Sequence, residues 1–193
     1  MSNFTDEQLA VLIQEGNPEH FSELYNRYID KIYRFIYVSL RHRENSEDIT
    51  SKVFIKSFEK IKTYQTKSAP FGAWIYGIAR NALIDHYRTG GRENPTDSLP
   101  ELPHDARIEK NIDISNSMKK LDTIMSQFDD EIKQILTLRL WEEMPFGDIA
   151  QILNKSEGAI KMSFYRSVAK LKDQLAVVLV VLTNMLTAIF FRS

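Results

Sequence analysis

Apolar residues recur along this chain at three- and four-residue spacings, the period of helices with one buried stripe. Thr5 and Gln8 form a capping box: the hydroxyl and the amide cover free N–H groups at a helix start. Leu9, Leu12 and Ile13 then fall on one face, and Gly16-Asn17 ends the helix. A second helix is predicted from about Pro18, carrying Phe21, Leu24, Tyr25 and Tyr28 and continuing through Ile32, Phe35, Ile36 and Leu40. Arg41 to Asn45 reads as a polar turn. Ser46 reads as the next N-cap, with Glu47 and Asp48 suited to the positive end of a helix. That helix aligns Ile49, Val53, Phe54, Phe58 and Ile61. Tyr64 to Pro70 reads as a loop, and Phe71 to Arg88 as a fourth helix with Ile75, Ile78, Ala79 and Ala82 on its apolar side.

The pattern breaks between Arg88 and Asn111. Gly90, Gly91, Pro95, Pro100 and Pro103 interrupt any periodicity, and Glu93, Asp97, Glu101, Asp105 and Glu109 make the stretch acidic. Helical spacing resumes at Ile112 with Ile114, Leu121, Ile124 and Phe128. Another helix follows Asp129 or Asp130 and carries Ile132, Ile135, Leu136 and Leu140. No strand-like alternation of useful length and no internal repeat are found. The pattern implies an all-α chain of two small helical domains: 1–90, a linker 91–111, and 112–173, followed by a hydrophobic tail 174–193.

Phe146 to Lys172 carries the sharpest local signal. Ile149, Ala150, Ile152 and Leu153 mark a short helix. Asn154 tolerates the left-handed backbone that a tight turn needs. Ser156 caps the next helix, Glu157 sits in its first turn, and Ile160, Phe164, Val168 and Leu171 form its buried stripe. A small residue, a turn residue four later and an apolar residue six after that are the spacing of a helix-turn-helix, which presents its second helix to the major groove. Lys161, Met162, Tyr165 and Arg166 lie opposite the buried stripe, and Lys155, Lys170 and Lys172 add charge at the ends. A plain helical hairpin with a solvated basic face is the competing reading of this segment. In the first domain, Trp74, Tyr76 and Tyr87 mix with Arg80, Asn81 and Arg88 on one helix. Aromatic and basic side chains together suit a strand whose bases are unstacked, although Trp74 reads as core.

Composition narrows the classes. Of 193 residues, 43% are hydrophobic and 26% charged, which is globular rather than disordered. There is no cysteine, so disulfides and cysteine metal sites are excluded. His20, His42, His86 and His104 are scattered without ligand spacing, so neither a metal nor another cofactor is expected. The formal net charge of −1 means that nucleic-acid binding would depend on local basic faces. No secretory signal opens the chain.

Two sets of residues resemble the extracytoplasmic-function sigma factors of the sigma-70 family. Glu47 to Ser51, Val53 to Phe58 and Ala73 to Asn81 are similar to that family's region 2. Asp148 to Leu153 followed by Ser156 to Lys161 is similar to its region 4. The resemblance runs from about Glu19 to Lys172, and two motif sets in the right order are more specific than either alone. It implies a non-enzymatic chain that joins core RNA polymerase and directs it to promoter DNA. Region 2 would bind the largest subunit through Asp48, Ser51 and Lys52. It would melt and hold the minus-ten element through Tyr64, Phe71, Arg80, Asn81 and Arg88. Region 4 would bind the second-largest subunit and read the minus-thirty-five element through Ser156, Glu157, Lys161, Met162, Tyr165 and Arg166. The acidic linker would follow the RNA exit path, and an anti-sigma factor is an implied partner. Lys52 stands where the family usually has an acid, and Ser163 where it often has arginine.

Three rivals remain in view. A helix-turn-helix regulator that is not a polymerase subunit explains 146–172 but not the first ninety residues. A nuclease would need clustered carboxylates or histidines. A membrane signalling adaptor would use the tail as its anchor. That tail, Leu175 to Phe191, is seventeen residues without a charge. As a helix it would span about 25 Å, short of a ~30 Å hydrocarbon core. Thr183, Asn184 and Thr187 weaken it, and Lys170 and Lys172 flank its start. Membrane contact that holds the chain at the inner face of the cytoplasmic membrane, burial against protein, and an association-prone end are the three readings open to it.

Overall fold

The computed structural model describes residues 4–89 and 127–172. All regular elements among them are helical, as the spacing predicts. Helix α1 spans Asp6–Gln14, α2 Phe21–Leu40, α3 Arg43–Lys60 and α4 Phe71–Arg88. Then α5 spans Asp130–Leu140, α6 spans Phe146–Leu153, and α7 runs through residues 157–172. Single 3₁₀ turns at Pro18–His20 and Ile61–Thr63 lead into α2 and out of α3. The predicted linker 91–111, the helix expected from Ile112 and the tail 174–193 lie outside the described residues.

Helices α2, α3 and α4 pack on one another, and α1 packs on α2 and α4. Leu24, Ile32, Phe35 and Ile36 of α2 meet Val53 of α3 and Phe71, Ile75, Ala79 and Leu83 of α4, all of them fully buried or nearly so. Edge-on ring pairs organise the centre: Phe35 on Tyr76 at 5.2 Å and Tyr28 on Phe71 at 5.4 Å between centroids.

The capping box at Thr5 forms as read: Gln8 N–H donates to the Thr5 hydroxyl at 3.2 Å, and Thr5 N–H donates to the Gln8 amide oxygen at 2.8 Å. The start of α3 differs from the sequence reading. The N-cap is His42, whose Nδ1 accepts from Asn45 N–H at 3.3 Å, and Arg41 takes the left-handed conformation that turns the chain. Ser46 lies one turn inside the helix, fully buried, its hydroxyl donating back to the His42 carbonyl at 2.6 Å. An imidazole nitrogen can cap like a carboxylate, and it places the boundary four residues upstream. Phe58 and Leu140, expected on buried stripes, are 45% and 50% exposed.

Helices α5 and α6 do not stand apart from the first bundle. The α5 helix packs on α2, and α6 packs on α4. One continuous apolar core therefore runs from Leu9 to Phe164.

Candidate nucleic-acid interface

The turn between α6 and α7 is built by three residues in sequence. Asn154 adopts φ 51° and ψ 51°, the left-handed region, and closes α6 with its N–H bonded to the Gln151 carbonyl. Lys155 N–H reaches the Ala150 carbonyl at 3.0 Å. The Ser156 hydroxyl accepts from Ala159 N–H at 3.2 Å, so it caps α7. Ala150 and Ile160 are both buried where the two helices cross. The helix-turn-helix geometry read from the sequence is thus present.

Facing away from that crossing, α7 exposes Glu157, Lys161, Met162, Tyr165 and Arg166, with Ser156 exposed at its start. Tyr165 is 62% exposed and Met162 53%. An aromatic cluster supports the face from below: Phe146 meets Phe164 at 5.3 Å and Tyr165 at 6.1 Å. Arg139 lies 4.8 Å from the Phe146 ring centre and donates to the Met144 carbonyl, which fixes the approach to α6. The charge of the face is partly neutralised within the protein. Lys161 pairs with Glu157 at 2.6 Å, and Lys155 pairs with Glu131 at 3.0 Å. Arg166 is exposed on the same face. Asp148, on the α6 side, has its carboxyl pushed up by burial.

The first bundle places its candidates less uniformly. Asn81 and Arg88 are exposed on α4, and Arg80 is half-buried. Arg88 is near Asp85 at 3.9 Å. Tyr64 and Phe71 are 4% and 0% exposed. Their rings contact each other and Trp74, with centroids 5.3–5.6 Å apart. The Tyr64 hydroxyl donates to the Ala69 carbonyl at 2.9 Å, and burial pushes its ionisation up to about 12. These two rings therefore brace the Tyr64–Pro70 loop from inside, while Gln65, Thr66, Lys67 and Ser68 form its exposed rim. Trp74 is partly buried against the core, as read. Asp48, Ser51 and Lys52 share the exposed side of α3, with Asp48 and Lys52 paired at 2.5 Å.

Residues the sequence reading passed over hold the loop in place. Gln14 donates from its amide to the carbonyls of Ile61 and Tyr64, both at 2.8 Å. The Glu7 carboxylate accepts from Phe71 N–H at 3.2 Å. Asp6 accepts from Arg27 at 2.6 Å and from the Tyr28 hydroxyl at 2.5 Å, and burial raises the Tyr28 ionisation far above its ordinary value.

A helix-turn-helix packed on a helical bundle that carries an aromatic-braced loop is an arrangement suited to DNA. Comparison narrows it. Residues 24–93 match the model of Sigma-70 region 2, and residues 118–171 match that of Sigma-70, region 4. The ECF RNA polymerase sigma factor BldN of Streptomyces coelicolor is 30% identical over 172 residues, covering 85% of this chain and 63% of that protein. The ECF RNA polymerase sigma-E factor of Haemophilus influenzae is 28% identical, over 84% of this chain and 91% of that one. SigW of Bacillus subtilis is 26% identical, over 84% and 92%. Among solved structures, CnrH in complex with the cytosolic domain of CnrY shares the fold, with a TM-score of 0.67 at 18% identity, over 89% of this chain and 97% of that one. The chain belongs to the sigma-70 family, in its extracytoplasmic-function branch.

Proposed function

We propose that this chain is a sigma factor: it binds core RNA polymerase and directs it to promoters, and it catalyses no reaction itself. The observation that carries the reading is the pair of sigma-70 regions, in order, on one chain. A helix-turn-helix regulator working without polymerase leaves the region 2 bundle without a task.

Residues 1–90 form the region 2 unit, 91–111 the tether and 112–173 the region 4 unit. The exposed side of α3, with Asp48, Ser51 and Lys52, meets the largest polymerase subunit. The Asp48–Lys52 pair makes this patch less acidic than Asp48 alone would. Region 4 also contacts the second-largest subunit. Asn81, Arg88 and Arg80 on α4 contact the minus-ten element. The rim of the loop braced by Tyr64 and Phe71 receives a base lifted from the stack. Lifting a base costs a few kcal/mol, which contacts in the loop must offset. On α7, Arg166, Lys161, Tyr165 and Met162 face the minus-thirty-five element, with Ser156 and Glu157 at the helix start nearest the DNA.

An anti-sigma factor is the natural restraint on such a chain. CnrH, which shares this fold, is held by the cytosolic domain of CnrY. Among the described residues no helix is long and apolar enough to cross a membrane. The uncharged stretch 175–191 supports a hold at the inner membrane face only through its composition.

The purified chain is tested with core enzyme. Co-elution and run-off transcripts from a library of promoters are the expected result. A chain that does neither is not a sigma factor.

A further inference from the structure

Ile160, Phe164 and Ser167 mark the buried side of α7. At roughly 100° per residue, the positions turned farthest from that side are Gly158, Met162 and Ala169, with Tyr165 on one flank and Arg166 on the other. All five are exposed. A helix ridge that faces only water normally carries charged or polar residues. Here the outermost three carry none, and a thioether stands at the centre. Its neighbours are drawn toward α6: Lys161 pairs with Glu157 at 2.6 Å and lies 5.9 Å from the Phe146 ring centre, and the Tyr165 ring lies 6.1 Å from the same ring. Gly158 sits one turn before Met162. No atom of the described residues lies within 4 Å of where its β-carbon would stand, so packing within them gives no reason for a glycine. Glycine in a helix costs up to about 1 kcal/mol relative to alanine. What it offers in return is close approach of the backbone to something outside the chain.

Resting on the sigma reading, what lies outside this ridge is the major groove of the minus-thirty-five duplex. The base edges there present hydrogen-bond donors and acceptors, and the apolar group among them is the C5-methyl of thymine. A thioether against that methyl removes apolar surface from water. A donor or acceptor facing the same thioether would lose its water and gain no partner. We infer that Met162 reads the C5-methyl of a thymine in the minus-thirty-five element, and that Gly158 lets the start of α7 come close enough to the bases for this contact.

The test uses the full chain with core polymerase on a promoter selected by run-off transcription. Each thymine of the minus-thirty-five element is replaced singly by deoxyuridine, which removes the methyl group alone. At one thymine, affinity in competition gel shifts should fall about fourfold, the share of one buried methyl group. Met162→Ala should bind the thymine and uracil duplexes equally, whereas Met162→Leu should keep a preference for thymine. Arg166→Ala should weaken binding to both and leave their ratio unchanged, as any general disturbance of α7 would. Gly158→Ala should unfold at an equal or higher temperature and yet bind both duplexes more weakly. An element without thymine, equal binding of every uracil duplex by wild type, or a preference that survives Met162→Ala would each overturn the methyl contact. Full affinity of Gly158→Ala would overturn the close approach. If the chain neither joins core polymerase nor drives transcription, the sigma reading fails instead. The same comparison on duplexes selected from a random pool by the full chain alone then still decides the methyl contact.

Discussion

The carboxylate of Glu7 accepts the backbone N–H of Phe71 at 3.2 Å, so the first helix of the chain caps the fourth. Proline at position 70 supplies no capping side chain to α4, and its first N–H groups have no partner within the helix. The acid sixty-four residues upstream fills that role. Glu7→Ala should destabilise the chain by about 1 kcal/mol, the usual cost of losing a cap, measured by urea unfolding. Glu7→Gln should recover part of it. No change for Glu7→Ala would mean that water caps α4 equally well.

Gly72 offers a related test. A β-carbon there would sit 3.2 Å from the Tyr28 hydroxyl, which Asp6 holds in place. Alanine gains up to about 1 kcal/mol of helix preference, and crowding a fixed group costs roughly 1–3 kcal/mol. Gly72→Ala should therefore destabilise, and Tyr28→Phe in the same chain should relieve the clash. A double-mutant cycle by urea unfolding reads the coupling, and independent, additive effects would count against the geometry.

The tyrosines give a pH dependence. Burial raises the ionisation of Tyr28 and Tyr76 well above 10, and of Tyr64 to about 12. A folded value above the unfolded one means that the folded state holds the proton more tightly. The stabilisation is complete below about pH 10 and is lost as pH rises toward and through the folded values. Spectrophotometric titration should show these three ionising late, together with unfolding. Tyr64→Phe should flatten part of the loss between pH 10 and 12. An unchanged profile would mean that Tyr64 is not masked.

Asn154 is held at φ 51°, where a branched side chain is strained. Asn154→Gly should be neutral within a few tenths of a kcal/mol, while Asn154→Val should cost about 1–2 kcal/mol. Thermal unfolding followed by helical circular dichroism checks both. Equal stability of the glycine and valine variants would mean that the turn has relaxed to another conformation.

On α7, Arg166→Ala should weaken binding to the minus-thirty-five element by roughly 1–3 kcal/mol if the side chain reads a base. Lys161→Ala should cost less, because Glu157 at 2.6 Å already offsets its charge. Glu157→Ala should then tighten binding and steepen its salt dependence. Gel-shift titrations at two salt concentrations distinguish these outcomes. An Arg166→Ala loss that is uniform over all sequences would identify a phosphate contact.

The helix-turn-helix was legible because its determinants are local. Ala150, Asn154, Ser156 and Ile160 act on neighbours within six residues, and each does what its type allows. The start of α3 was not legible because a histidine ring takes the capping role that residue preference gives to Ser46. Tyr64 and Phe71 read as groups turned toward DNA, yet their rings face inward, since aromatic residues beside a loop serve packing and display equally well. Nothing in the sequence around Glu142 sets it apart from other acids. Its burial depends on Arg34, 108 residues away, and no local pattern encodes that distance. Gln14, the last residue of a short helix, carried no warning of its two carbonyl partners.

Asp6, Glu7 and Gln14 all precede the segment 24–93 that defines region 2 by likeness. Grafting that segment alone into another sigma factor would import the Tyr64–Pro70 loop without its scaffold. The carbonyls of Ile61 and Tyr64, the N–H of Phe71 and the hydroxyl of Tyr28 would all lose the partners described above. The first helix and the Tyr64–Pro70 loop therefore stand or fall together, and exchange boundaries for chimeric sigma factors belong before Thr5.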